Sequence, residues 1–150
     1  MKGILVVKSE DLKVNKILLP YLGIMVAMCT VLQIIIAVRA NGIDLLAGIL
    51  TAVIALYYGY SQIVNRKKLN NIRFGRLIHH IIAFVTVNLS FHIHAAILAI
   101  VSTTNTHKFE VALLPEWYGV IFGMFVFWGL GLLIHMTASV AMRGYEELKT

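Results

Sequence analysis

Four long apolar runs separated by short polar segments set the pattern of this chain, and each run is long enough to cross a bilayer as a helix. The spans predicted are 17–38, 45–64, 77–101 and 118–141. The first is bordered by Lys16 and Arg39, and Pro20 is expected in its first turn, where a missing N–H does little harm. It is about 22 residues long, more than the 7–15 of a secretory signal core, and is read as a retained span. Arg39, Asn41, Gly42 and Asp44 spell a tight turn into the second span. Pro115 and Glu116 suit the start of the fourth helix. Small residues four apart, Gly23 with Ala27, Gly48 with Ala52 and Gly119 with Gly123, suggest faces where helices approach closely.

Ahead of the first span, residues 1–16 mix lysines with Ile4, Leu5, Val6 and Val7. They read as a short interfacial helix capped by Ser9 or Asp11. Lys and Arg are distributed unevenly. Four precede the first span, five lie in Arg66–Arg76, and two follow the fourth span, whereas the remaining two connections carry only Arg39 and Lys108. Eleven against two places both termini and the central loop in the cytoplasm.

Composition sharpens this reading. Only 13% of residues are charged, against about 25% in ordinary soluble domains, and mean hydropathy is +0.84. The expected fold is all-α: a single polytopic domain, a bundle of four transmembrane helices. The pI of 9.6 comes from span-flanking lysines and arginines that meet anionic lipid, so no nucleic-acid partner is implied. Cys29 has no second cysteine to pair with and is expected as a packed thiol.

Polar groups inside apolar runs are costly and so are the candidate chemistry. Gln33 is placed to bond across the bundle. Tyr57, Tyr58 and Tyr60 cluster at the end of the second span and read as an interfacial belt or a ligand pocket. Trp117 and Tyr118 read as belt residues at the opposite boundary. Five histidines, His79, His80, His92, His94 and His135, fall within spans, and His107 falls in a loop. By the helical rise, His80 and His135 lie roughly 5–9 Å inside the same boundary on antiparallel neighbours. His94 shares the face of His80, and His92 points away from it. Three readings of these histidines stand: structural bonds between helices, a haem b held between His80 and His135, or a proton-linked switch. Trp128 is too deep for a belt residue, so its indole N–H needs a partner, expected to be Asn88 or a backbone carbonyl. No metal-binding or nucleophile–base spacing is present, which argues against an enzyme.

Two motifs run through the second half. His80, Phe84 and Asn88 recur every four residues, and Trp128-Gly129-Leu130-Gly131 leads to His135. With the tail Tyr145-Glu146-Glu147-Leu148-Lys149, they make the stretch from Arg73 to Leu148 resemble the bacterial 2TM domain. That domain is a membrane hairpin found alone or attached to histidine kinases and related signalling proteins. Its tail usually begins with Trp where this chain has Tyr145. The resemblance implies a structural motif of His80, Phe84, Asn88, Trp128, Gly129, Gly131 and His135. It also implies a non-enzymatic role in signalling, with membrane lipids, a second copy, or a membrane or cytoplasmic protein as partner. The alternative expectation is a haem- or quinone-linked redox protein using His80 and His135.

Overall fold

The computed structural model describes residues 2–72, 74–104 and 115–146, with side chains over 16–72, 74–101 and 115–141. Among them every regular element is an α-helix: α1 Lys2–Val38, α2 Leu45–Val64, α3 Arg66–Asn70, α4 Gly75–Thr104 and α5 Pro115–Glu146. Four of these, α1, α2, α4 and α5, are long and apolar enough to cross a membrane, as a multi-pass protein requires. Arg73, the loop holding His107 and Lys108, and the side chains of the Tyr145–Lys149 tail lie outside the described residues.

Helix α4 is the centre of the bundle. It packs most extensively on α5, then on α1, and touches α2; α1 also packs on α2. Among the described residues no close backbone approach joins α5 to α1 or α2. The core follows helical spacing. Leu18, Tyr21, Met25, Cys29, Leu32 and Ile36 recur every three or four residues along α1, and Ala83, Val87, Phe91, Ala95 and Leu98 answer them from α4. Cys29 is free and buried among them.

The connections use identifiable chemistry. Asp44 caps α2 by accepting the Ala47 N–H at 3.0 Å, and it pairs with Arg39. The Ala47 bond first, and then Arg39, hold its carboxyl below the usual carboxylate range. Helix α1 ends as Asn41 donates its N–H to the Ile36 carbonyl, with Ala40 and Asn41 at φ 57° and 62°. At the other end, α3 folds back so tightly on the start of α4 that a Cβ on Gly75 would lie 2.3 Å from the Leu69 carbonyl oxygen. Only glycine fits there.

Several expectations are corrected. Residues from Lys2 onward continue α1, so Ser9 and Asp11 lie inside the helix, not at its start, and Pro20 is interior to it. A bundle with neighbouring helices tolerates such a proline because the freed carbonyl finds other donors. The small-residue pairs do not mediate packing within the chain: Gly23, Gly48, Gly119 and Gly123 each face open space. Trp117 is no belt residue. It is fully buried against Phe91 and His94 and donates its indole N–H to the Asn41 carbonyl at 2.9 Å. Tyr118 beside it is exposed.

Candidate functional site

Polar side chains gather at two levels of the bundle. The first lies near the α3 end, where α2, α4 and α5 converge. A tyrosine hydroxyl is its hub: Tyr58 Oη is hydrogen-bonded to His80 Nδ1 and lies 3.2 Å from His135 Nε2. Gln62, one turn along α2, donates one amide hydrogen to Tyr58 Oη at 3.3 Å and another to the Arg76 carbonyl at 3.2 Å. His80 Nε2 faces the Trp128 carbonyl at 3.1 Å. The His80 and His135 rings are 4.9 Å apart, so the two histidines assigned similar depth do meet.

Proton positions in this cluster follow from chemistry. A carbonyl oxygen only accepts, so His80 Nε2 carries a hydrogen and donates it to Trp128. A neutral His80 then presents Nδ1 as an acceptor, and the Tyr58 hydroxyl must donate to it. His135 Nε2–H in turn donates to the Tyr58 oxygen. With Gln62, both lone pairs of that oxygen are used, while Gln62 Oε1 is buried without a partner.

The same residues explain the glycine motif. A Cβ on Gly131 would stand 2.8 Å from His80 Cε1, so glycine is what lets the ring reach the Trp128 carbonyl. Gly129 lies against Phe84, whose ring also meets Phe125 edge to face. His80, Phe84, Trp128, Gly129, Gly131 and His135 are thus brought to one stretch of the α4–α5 interface and its junction with α2.

Asn88 makes no hydrogen bond to Trp128 or to either histidine of that set. Its side-chain N–H bonds the Phe84 carbonyl of its own helix at 2.8 Å. Its Oδ1 and the Trp128 indole nitrogen are both buried without a partner, so the expected Asn88–Trp128 bond is not formed. The short amide satisfies its own backbone at less entropic cost than reaching across. Depth along the helices puts His135 within reach of His80 or of the Tyr57–Tyr60 cluster, but the spacing of Tyr58 carries no signal that it bridges the two histidines.

His79 turns the other way. It stacks on Tyr21 of α1 with centroids 3.6 Å apart and bonds the buried Ser61 hydroxyl at 2.9 Å. His92 is exposed and donates to the Asn88 carbonyl of its own helix.

The second level lies at the opposite end. His94 Nδ1 and Nε2 meet Gln33 Oε1 at 2.8 Å and Asn41 Oδ1 at 3.0 Å, and Gln33 donates to Ser90 at 3.2 Å. A neutral imidazole donates to one of these amides; the other, turned end for end, supplies the N–H for the second nitrogen. Gln33 thereby bonds α1 to α4, and Asn41 ties the turn to α4 and α5. Apolar grooves flank the bundle. One of about 590 Å³ lies between α2 and α5 and is lined by Gly48, Ala52, Phe127 and Trp128. Another, about 660 Å³, lies between α1 and α4.

Among the described residues no three His, Cys, Asp or Glu side chains are grouped to hold a metal. A porphyrin between His80 and His135 does not fit this packing. The Tyr58 hydroxyl bonds both histidines, and both nitrogens of His80 are engaged within the protein. No protein-family model, curated protein or solved structure matches the chain.

Proposed function

We propose that this chain is a small multi-pass module of the bacterial cytoplasmic membrane that regulates or scaffolds through helix contacts, with both termini cytoplasmic. One observation carries the reading: the backbone of α5 packs closely on α4 only, and side chains alone, Tyr58 to His135 and Trp117 to Asn41, tie it to the rest of the bundle. Among the described residues nothing lies against Gly119 and Gly123 of α5 or Gly48 of α2. Glycine on a lipid-facing helix gains little from lipid but permits close approach of another helix. The 2TM-like motif fits the same role. It fastens α4 to α5 as a hairpin and leaves the outer surface free for a second copy or another membrane protein.

Photo-crosslinking side chains introduced at Gly123 and Gly48 in intact cells test this. Discrete adducts larger than the monomer are expected from at least one position, and monomer alone from both overturns the proposal. The orientation rests on the eleven-to-two distribution of basic residues. Alkaline phosphatase fused at Asn41 or His107 is expected to be active, and a GFP fusion there dark. The redox alternative has the convergence of His80 and His135 in its favour and their hydrogen bonding against it. A Soret band in protein purified after haem-supplied expression would revive it.

A further inference from the structure

The Tyr58 hydroxyl sits between two imidazoles, and the whole set can reverse without losing a hydrogen bond. In the neutral arrangement the donors run one way: His135 Nε2–H to Tyr58 Oη, Tyr58 O–H to His80 Nδ1, and His80 Nε2–H to the Trp128 carbonyl. Consider one proton added at His135 Nδ1. His135 then passes its Nε2 hydrogen to the Tyr58 oxygen as Tyr58 passes its own hydrogen to His80 Nδ1. The N–H bond at His135 Nε2 and the original O–H bond break, and a new O–H bond and an N–H bond at His80 form. His135 ends neutral with its hydrogen on Nδ1. Tyr58 ends neutral and now donates to His135 Nε2. His80 ends as the imidazolium, donating to both Tyr58 and Trp128. Gln62 donates to the Tyr58 oxygen before and after.

We infer that His135, Tyr58 and His80 form a proton relay, with His135 as the point of entry and His80 as the buried acceptor between α4 and α5. Accessibility sets the direction. His135 is partly exposed at the bundle's edge, whereas His80 is 3% exposed. Gly131 holds the relay in register, because any side chain there would displace the His80 ring. This inference stands apart from the partner proposed above, since it needs only the bonds within one chain.

Among the described side chains, no carboxylate lies at this end of the bundle. Helix α4 adds His79 beside His80 and the positive charge of Arg76, which acts on Tyr58 and His135. Helix α1 brings Tyr21, stacked on His79, and α2 brings Tyr57, which stacks on Tyr21. Helix α3 contributes Arg66, Lys67 and Lys68 to this end. The carboxylates with described side chains, Asp44 and Glu116, belong to the opposite end. Among the described residues the proton on His80 is held by the Tyr58 hydroxyl and the Trp128 carbonyl, and it returns by the same path.

Long-range ¹H–¹⁵N spectra of the full chain, labelled at histidine nitrogen and held in micelles from pH 8 to pH 5, test the relay. In one pH step, His80 Nδ1 should gain a hydrogen and His135 should move to its Nδ1–H tautomer. Tyr58→Phe should separate the two, leaving His80 neutral while His135 takes the charge. His135→Gln, which can neither take up a proton nor pass one on, should slow exchange of the His80 Nδ1 hydrogen at a pH where the native chain exchanges it rapidly; His92→Gln should leave that rate unchanged. The His94 signals, at the far end of the bundle, report whether each variant is folded. The relay is overturned if His135 becomes the charged ring in the native chain. It is equally overturned if His80 still takes a proton in this range in Tyr58→Phe, or if His135→Gln exchanges the His80 hydrogen as fast as the native chain.

Discussion

Adding one methyl group at Gly131 tests the α4–α5 interlock directly. The new Cβ would stand 2.8 Å from His80 Cε1 and 3.1 Å from Nε2, whereas ordinary contact begins at 3.4 Å. The ring must therefore retreat by roughly half an ångström, in a core that yields little. It is not free to do so, because the Trp128 carbonyl and the Tyr58 hydroxyl hold it from either side. Overpacking of this kind costs about 1–3 kcal/mol. Weakening two hydrogen bonds inside a membrane protein adds about 1 kcal/mol. Against these stands the helix-propensity gain of Gly→Ala, about 1 kcal/mol. The net expectation for Gly131→Ala is a loss of about 1–3 kcal/mol, and Gly131→Leu should lose more. Gly123→Ala, facing open space, and Gly129→Ala, whose Cβ would make an ordinary 3.8 Å contact with Phe84, should be neutral or slightly stabilised. Reversible unfolding in mixed micelles measures all four. Combining His80→Ala with Gly131→Ala should recover part of the loss, since the small side chain removes the clash. If Gly131→Ala proves as stable as Gly123→Ala, the close approach is not made.

Three further outcomes are expected. Ala40→Gly should raise stability by about 1 kcal/mol in the same assay, because an alanine at φ 57° carries a left-handed penalty that glycine avoids; an unchanged midpoint would refute that. Gly75→Ala should cost at least about 3 kcal/mol or prevent folding, since a backbone carbonyl at 2.3 Å cannot swing aside as a side chain can; near-native stability there would mean α3 does not fold back as described. Asp44 has a pH signature. Its folded carboxyl is held low, so its contribution is present above the unfolded value near about 4 and is lost as pH falls through the folded value. Native protein should therefore lose melting temperature more steeply than Asp44→Asn on acidification below about pH 4; parallel curves would show that the cap and ion pair contribute nothing.

Sequence and structure divide the account of this protein unevenly. The four spans were legible because length and apolarity decide membrane crossing with no reference to neighbours. The similar depth of His80 and His135 was legible for a related reason: rise per residue is fixed, so counting from a boundary gives position along the bundle normal. The value of Gly131 was legible as an absent side chain, although the ring that would fill its space was not.

What spacing cannot encode is which helix a face meets. Gly23, Gly48, Gly119 and Gly123 carry the same small-residue signature as a packed interface, yet within the chain they meet nothing. Trp117 looks like a boundary aromatic by position and becomes core because α4 and the Asn41 turn close over it. Asn88 and Trp128 are placed to meet by depth but do not bond, because the amide is already spent on its own helix. Tyr58 acquires its place only when α2 delivers one hydroxyl between a histidine of α4 and a histidine of α5. The sequence by itself determined the elements, their depth and the inventory of polar groups. The tertiary structure alone decided their partners, because partnership depends on the rotation and neighbours of whole helices, and these are set by the packing of all the helices at once.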